Sequence, residues 1–299
     1  MFVVTGASGH TGSVVADHLL DEGKKVRGIG RSAERLQRLA QKGGEPFVAD
    51  LTDSQALTKA FQGADAVYLM IPPDYSAPDL RAQQQATTEA MAEALERSGV
   101  KHAVALSSVG ADKSQGTGPV VGLHLLEERL NRIAGLNVLH LRAAYFMENT
   151  LAQVGVIHKT GTAIGTLLPN LRFPMIATRD IGDAVAQAML KLEFTGHQTH
   201  ELLGPNDITM TDVAAIIGKA IGNSNLKYVQ APDDQFRAAL LQMGMSEDLA
   251  AQMLEMTGAM NSGHMKALEP RNAHNSTPTS FVTFVLQEFV PQYKGKAAA

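Results

Sequence analysis

The chain has 299 residues, a formal net charge of −4 and an isoelectric point of about 6.2, and it is long enough to bury a large core. This charge gives no reason to expect nucleic acid or an anionic membrane as a partner. Because the chain has no cysteine, disulfides, thiolate metal sites and a cysteine nucleophile are excluded.

The first predicted element is a short apolar strand that ends at a glycine-rich turn, and a helical pattern follows at once. The segment Thr5–Gly12 has the spacing G-x-x-G-x-x-G, one residue wider in its first gap than the common dinucleotide fingerprint. Gly6 permits the sharp turn, Gly9 lets the backbone approach a pyrophosphate, and Gly12 lets the helix pack tightly on the strand. The backbone amides at the helix N-terminus and the positive end of the helix dipole would then bind the negatively charged phosphates. The alternative is an ordinary βα turn that binds no ligand.

A second strand, residues 25–30, ends at Arg31 and Ser32. In dinucleotide-binding folds this strand end lies beside the adenosine ribose, where an acidic residue accepts a hydrogen bond from the 2′-hydroxyl. The guanidinium of Arg31 instead suits a 2′-phosphate, which it can bind through two hydrogen bonds. The sequence therefore favours NADP over NAD. The alternative is that Arg31 is a solvated residue at the start of a helix predicted over 33–42.

The third predicted strand, residues 47–49, ends in Asp50 and Leu51. The Asp50 carboxylate could accept a hydrogen bond from the adenine amino group while Leu51 covers the ring. Asp50 or Thr52 could equally cap the helix predicted over 54–61, and the two roles are compatible.

Alternation of strands and helices continues to about residue 142. A fourth strand over 66–71 is closed by Pro72-Pro73, a long helix runs over 80–99 with Gly99 as its stop, and a fifth strand over 102–106 ends in two serines. A sixth strand follows at 137–142. Five repeats of this alternation predict a doubly wound parallel α/β sheet, whose ligands lie outside the carboxyl ends of the strands. The end of the fourth strand should face the nicotinamide side.

The alternation weakens beyond residue 150, which predicts a Rossmann domain over 1–150 and a smaller, mostly helical lobe over 151–299 with segments that return to the main sheet. Residues 154–164 are rich in Gly and Thr, and 173–176 read as an edge segment. Helices are predicted over 180–192, 211–221, 235–243 and 246–256, with Thr211 as a cap, and strands over 200–205 and 227–229.

Six segments then share a pattern with one known family: Val4–Gly12, Gly30–Ser32, Asp50–Leu51, Ser107–Gly110, Leu141–Asn149 and Thr277–Thr279. Together they resemble the NmrA-like group of atypical short-chain dehydrogenases/reductases. That group includes NADPH-dependent quinone oxidoreductases, isoflavone-reductase-like enzymes and NADP-sensing regulators. The resemblance, with the turn and strand ends above, implies NADP (NADPH) as cofactor and these residues as its contacts: Gly6, Ala7, Ser8, Gly9, His10, Thr11, Gly12, Arg31, Asp50, Leu51, Ile71, Pro72, Pro73, Ser107 and Ser108.

The catalytic pair of typical short-chain dehydrogenases, a Tyr and a Lys four residues later, is absent. The resemblance places His124 at the lysine position and Val120 at the tyrosine position. His124 could donate to a ribose hydroxyl or relay a proton, because imidazole titrates near neutral pH. It could also only orient the cofactor. A Ser-His hydrolase is disfavoured because no G-x-S-x-G segment surrounds Ser107 or Ser108.

A quinone needs little acid–base help, so placement in an apolar pocket would suffice. The resemblance implies that Tyr145, Phe146 and Asn149 contact such a substrate and that Tyr145, with His124, is a catalytic candidate. Tyr145 and Phe146 could instead be core aromatics. The alternative function is an NADP(H)-sensing regulator without significant turnover.

The spacing of the ten histidines predicts no metal site. The expected partner is a small molecule, neither nucleic acid nor a membrane is expected, and a homodimer is left open. The cytoplasm is the expected location, because the chain begins with a strand and not with a charged leader.

Overall fold

The computed structural model describes residues 1–297, so the last two residues of the predicted lobe, 298–299, lie outside the described residues. The strands, in chain order, are β1 (Phe2–Thr5), β2 (Val26–Gly30), β3 (Glu45–Val48), β4 (Ala66–Leu69), β5 (His102–Ser108), β6 (Asn137–Ala143), β7 (Tyr145–Phe146), β8 (Ala163–Gly165), β9 (Phe173–Ile176), β10 (His197–Leu202), β11 (Asp207–Ile208) and β12 (Tyr228–Gln230).

The helices, in chain order, are α1 (His10–Asp21), α2 (Gln37–Gln41), α3 (Ser54–Phe61), α4 (Leu80–Ser98), α5 (Val121–Asn131), α6 (Gln153–Thr160), α7 (Thr178–Lys191), α8 (Met210–Ile221), α9 (Asp233–Gln242), α10 (Glu247–Ser262), α11 (Phe281–Phe284) and α12 (Val290–Ala297). A π-helical turn, Val285–Phe289, joins the last two of them. Two 3₁₀ segments, Gly118–Val120 and Met147–Ala152, precede α5 and α6.

The main sheet has seven parallel strands in the order β10-β6-β5-β4-β1-β2-β3. The order reverses between β1 and β4, which makes this junction the topological switch point where such folds bind ligands. Side chains of α1 and α7 cover one face of the sheet, and those of α3, α4 and α5 cover the other. Parallel strands buried on both faces are expected to be almost continuously apolar, as β1 is. The predicted doubly wound fold is confirmed.

The second half contributes two small sheets, with the strand orders β11-β9-β7 and β12-β8. It also has its own cluster of buried apolar side chains, the second apolar cluster. This cluster includes Val154 of α6, Val213 of α8 and Phe289 near the C-terminus. Two segments of this half return to the main domain: β10 pairs with β6, and α7 packs against the sheet. The division at residue 150 remains a prediction about folding units.

Several boundaries in the first half differ from those predicted. The helix predicted over 33–42 is reduced to α2, because residues 33–36 form turns in which the amides of Leu36 and Gln37 donate to carbonyls three residues back, those of Ala33 (3.2 Å) and Glu34 (3.1 Å). The cap of α3 is Asp53, which accepts from the amides of Gln55 and Ala56, and is neither Asp50 nor Thr52. Gly99 ends α4 in the left-handed conformation, as predicted.

The second half departs further from the predictions. Residues 153–160 form α6 although Gly and Thr are poor helix formers. The predicted edge segment is β9, which is the central strand of its small sheet. Thr209, and not Thr211, caps α8 in a capping box with Asp212. Within residues 1–297, no helix combines the length and the apolar character that a membrane crossing requires.

Candidate active site

The glycine-rich turn lies between β1 and α1. Gly6 has a φ of +61°, a conformation that favours glycine, and a Cβ there would lie 2.8 Å from the Met70 sulfur. A Cβ on Gly12 would lie 2.7 Å from the Gly6 carbonyl carbon, so the helix packs on the turn only because Gly12 has no side chain. Gly9 is the N-cap of α1 and has ordinary extended geometry, with φ −91° and ψ 176°.

The exposed rim of this turn consists of Ser8, Gly9 and His10, whereas Ala7, Thr11 and Gly12 are buried. The first amide that bonds within the helix is that of Ser13, which donates to the Gly9 carbonyl (3.0 Å). The amides of residues 10–12 precede it at the positive end of the helix dipole, which suits a phosphate.

Two threonines fix this turn to the sheet. The Thr5 hydroxyl donates to the Tyr68 carbonyl (3.0 Å) and accepts from the Met70 amide (3.1 Å), which joins the ends of β1 and β4. The Thr11 hydroxyl and the buried Tyr68 hydroxyl are 2.8 Å apart, and burial raises the pKa of Tyr68. The Thr11 side chain is therefore bound inside the protein, which leaves its amide for a ligand.

Charged side chains meet at the ends of β2, β3 and β4. Arg31 follows β2 and is exposed. Hydrogen bonds from Ser76 and, to a smaller extent, the charge of Arg31 lower the pKa of Asp74, and the same charge contributes to a lowered pKa of Asp50. The larger cause for Asp50 is a pair of hydrogen bonds from the amide and hydroxyl of Thr52 (2.9 and 2.7 Å), and both end on Oδ1. Asp50 is therefore ionised and exposed beside Arg31. Leu51, in contrast, is only 7% exposed and belongs to the core.

A second arginine near this edge was not predicted. Arg35 is exposed and lines a cavity of about 100 Å³ together with Ala7 and Ser8 of the turn. Arg38 lines the same cavity but pairs with Asp17. Arg35 lies in the turn that was predicted to be helix, and a spacing of four residues from Arg31 was the signal available in the sequence.

The end of β4 bears the predicted contacts Ile71, Pro72 and Pro73. Ile71 and Pro72 are half-buried, Pro73 is exposed, and they follow Met70, whose side chain packs over Gly6. The carboxyl end of β4 is thus adjacent to the glycine turn, as the strand order requires.

The two serines at the end of β5 have different environments. Ser107 is 2% exposed and donates through Oγ to Glu127 Oε1 (2.5 Å), while Arg142 binds the same carboxylate through Nε (3.0 Å) and Nη2 (2.6 Å). The Ser107 hydroxyl therefore donates inside the protein. This buried network was not predicted from the sequence. Ser108, on the opposite face of the strand, is half-buried and donates to the Val109 carbonyl (2.9 Å).

His124 lies on α5 with both ring nitrogens near acceptors. Nδ1 donates to the Ala111 carbonyl (2.9 Å), which follows the end of β5, and Nε2 is 3.6 Å from Glu128 Oε1. The Ala111 bond fixes the tautomer of the neutral ring, so that a proton could be exchanged at Nε2. The side chain of His124 is 17% exposed.

Tyr145 and Phe146 form β7, directly after the end of β6. Tyr145 packs edge-on against Phe173, with ring centroids 5.4 Å apart, at the surface of the second apolar cluster. Burial raises the pKa of Tyr145 to about 12, although a hydrogen bond with the Asn149 side chain opposes the shift. Phe146 instead packs against the main core. Both rings are half-buried and Asn149 is exposed. Of these three residues, Tyr145 and Asn149 have polar side-chain groups that a ligand could contact.

A cavity of about 160 Å³ lies between the starts of α1 and α7, and His10, Ser13, Glu148 and Arg179 are among its lining residues. Glu148 Oε1 accepts from the amide (2.9 Å) and hydroxyl (2.6 Å) of Thr178, which anchors α7. The other oxygen, Oε2, is buried without a hydrogen-bond partner among the described residues.

No group of side chains suited to a metal ion occurs within residues 1–297. The structure brings the glycine turn, Arg31, Asp50 and the end of β4 to the carboxyl edge of the sheet, and the turn and the end of β4 lie at its switch point. The two catalytic candidates share no partner. His124 contacts Ala111 and Glu128, whereas Tyr145 contacts Phe173 and Asn149.

Comparison with known proteins gives relatives along nearly the whole chain. A family model described as the NmrA-like family matches residues 1–284. An NAD(P)H azoreductase of Xenophilus azovorans is 30% identical over 261 residues, which cover 86% of each chain. Quinone oxidoreductase 2 of Escherichia coli (strain K12) is 29% identical over 271 residues, 88% of this chain and 89% of that protein.

Two solved structures share the fold. An Escherichia coli NADPH-dependent quinone oxidoreductase complexed with NADPH has a TM-score of 0.81 at 24% identity, over 95% of this chain and 98% of that one. A Citrobacter sp. triphenylmethane reductase complexed with NADP(H) has a TM-score of 0.77 at 20% identity, over 96% and 99% of the two chains.

Proposed function

The chain belongs to the NmrA-like family, and from that premise we propose that it is an NADPH-dependent oxidoreductase that reduces a quinone or a similar carbonyl compound. The similar proteins named above, a quinone oxidoreductase and an azoreductase, are both reductases of electron-poor conjugated compounds. The family predicted from the sequence is confirmed.

The observation that carries the proposal is the glycine turn at the start of α1. Its rim, residues 8–10, is exposed, and added Cβ atoms at Gly6 and Gly12 would collide with the sheet side of the turn. The backbone is therefore shaped to leave the amides of the first helical turn open on the outer side, where a pyrophosphate fits. Arg31 and the ionised Asp50 lie at the strand ends that follow, and we assign them to a 2′-phosphate and an adenine amino group.

The cofactor and the protein supply different parts of the proposed reaction. NADPH supplies the hydride when it is bound. The chain supplies placement, exclusion of water by half-buried apolar groups, and a proton. Tyr145 is fully protonated near neutral pH because burial raises its pKa to about 12, so its hydroxyl is a donor and not a base. Nε2 of His124 is the second group at which a proton could be exchanged. Both roles are part of the proposal.

The alternative, an NADP(H)-sensing regulator without significant turnover, is not favoured, because the relatives named above are reductases. The missing Tyr–Lys pair does not argue against turnover of a quinone, which accepts hydride without a strong acid.

The test is oxidation of NADPH followed at its absorbance band with a panel of quinones and an azo dye. The proposal requires turnover well above the uncatalysed rate with at least one quinone, and lower turnover with NADH in place of NADPH. Tight NADPH binding without turnover on the whole panel would instead support the regulator. Absence of binding to either nucleotide would reject both.

The remaining assignments belong to the proposal as well. We place the protein in the cytoplasm and expect neither nucleic acid nor a membrane among its partners, with a net charge of −4 as the supporting observation. A homodimer is left open. Light scattering of the purified chain would establish its oligomeric state.

A further inference from the structure

A segment late in the chain crosses the carboxyl edge of the sheet where a substrate would lie. This crossing segment, residues 264–271, follows α10. At one end the His264 ring is 3.1 Å through Nε2 from the Gln115 carbonyl. At the other, Glu201 at the end of β10 accepts from the amides of Leu268 and Glu269, each at 3.0 Å. The segment therefore runs from the loop after β5 to the end of β10.

Met265 is the apolar side chain that this segment places at the end of β5. Its Cγ lies 2.6 Å from the point where a Cβ on Gly110 would be, so the side chain rests directly on the Gly110 backbone. Gly110 has a φ of +93°, and it follows Ser108 and Val109 at the strand end. On its other side Met265 packs against the second apolar cluster, whose surface includes Tyr145.

Met265 therefore bridges a strand end proposed to hold the cofactor and the apolar cluster against which Tyr145, proposed to hold the substrate, also packs. Tyr145 follows β6, the strand that lies between β5 and β10 in the sheet, so the crossing segment passes over the same edge. Met265 is half-buried, which leaves part of its thioether accessible. A methionine side chain is flexible and polarizable, and its sulfur makes favourable contacts with the edges of aromatic rings.

On the basis of the function proposed above, we propose that Met265 is a specificity-determining residue that forms a wall of the substrate pocket and contacts flat, apolar, electron-poor ring systems. Its flexible side chain admits rings of different width, while the two ends of the crossing segment are held by Gln115 and by the buried carboxylate of Glu201, which is 2% exposed. Selectivity among ring systems of different width then depends on the Met265 side chain and not on movement of the crossing segment.

The kinetic test compares Met265→Ala with Met265→Leu on one-ring and three-ring quinones. The alanine variant should raise the KM for the quinones by about tenfold, as expected when an apolar contact is lost, with the dissociation constant of NADPH unchanged. The leucine variant should restore most of the affinity, because Leu and Met have similar volumes. Met243→Ala, at a methionine that is 60% exposed at the end of α9, is the matched control. A KM within about twofold of the unmodified protein for every quinone, or a loss confined to NADPH binding, would overturn the assignment.

A second measurement does not depend on turnover. The protein is labelled with ¹³C at its methionine methyl groups, of which there are 13, and the Met265 resonance is identified by its loss in Met265→Leu. Addition of a quinone to the NADP⁺-loaded protein should shift this resonance and not that of Met243. A shift without turnover would reject the proposed reaction but retain the pocket wall. Turnover without a shift would reject the wall and retain the reaction.

Discussion

Replacement of Gly9 separates cofactor binding from folding, because the conformation of Gly9 is open to any residue. Its φ of −91° is ordinary, and an added Cβ would meet only the Gly6 carbonyl oxygen, at 3.2 Å. A side chain at Gly9 would nevertheless occupy the exposed rim, where a pyrophosphate must approach the amides of residues 10–12. Gly9→Val should therefore fold and fail to bind.

The magnitude follows from the hydrogen bonds lost. Two charge-assisted bonds to the pyrophosphate are worth about 3 kcal/mol together, which corresponds to an increase of about 100-fold in the dissociation constant of NADPH. The free energy of unfolding should fall by only about 1 kcal/mol, because Gly is a modest N-cap and Val a poor one. Fluorescence titration with NADPH and thermal unfolding without nucleotide measure the two quantities.

Two further glycines provide the controls. Gly155→Val on α6 places the same side chain where no atom lies within 4 Å, so NADPH affinity should not change. Gly12→Ala should lower both stability and affinity, because its Cβ would lie 2.7 Å from the Gly6 carbonyl carbon. If Gly9→Val retains the affinity of the unmodified protein, the pyrophosphate is not bound at this turn and the reasoning is refuted.

Three other predictions concern charged and polar groups. Arg31→Asp should weaken NADPH by at least tenfold more than NADH in the same titration, because it removes the partner of the 2′-phosphate; equal losses would contradict this. Tyr145→Phe should lower kcat severalfold, and an unchanged kcat would assign the proton to His124 or solvent. The kcat of the unmodified protein should show no loss from titration of Tyr145 below about pH 11, since burial raises the pKa of Tyr145 to about 12. Burial lowers the pKa of His140 to about 4, so the unfolded chain binds more protons than the folded one below the ordinary pKa of 6.5. The free energy of unfolding should therefore decline by about 3 kcal/mol in total as the pH falls from 6.5 to 4. Urea unfolding of His140→Gln, which should show a flatter profile over that range, measures this.

The main sheet could be predicted because its strands and helices carry unambiguous periodic patterns. The strand β1 is buried at every position and is apolar at all of them except Thr5, and the long helix α4 ends at a glycine with positive φ. In these elements local preference and the final environment agree. The order of the strands was not predicted, because the hand of each crossover does not determine which strands are neighbours. The position of the glycine turn at the switch point is therefore a finding of the structure.

The site was less predictable where a choice between two faces of a strand was required. Ser107 and Ser108 are neighbours, so they point to opposite faces, and sequence alone did not indicate which faces Glu127. The partner of Ser107 depends on a contact 20 residues away along the chain. Met265 lies more than 150 residues beyond Gly110, and no local pattern marks such a contact. The helix α6 was missed because tertiary packing of Val154 and Ile157 outweighs the weak propensity of Gly155.

The start of α7 depends on a residue that is distant along the chain. The Asp180 carboxylate, whose side chain is 3% exposed, accepts from the amide (2.9 Å) and hydroxyl (2.5 Å) of Thr279, 99 positions later. A chain that ends before this threonine leaves the Asp180 carboxylate without these two hydrogen bonds at the start of α7. The start of α7 is therefore complete only when a segment 99 positions later has folded onto it. Premature termination before Thr279 would yield a product with every proposed nucleotide contact in its sequence but prone to degradation.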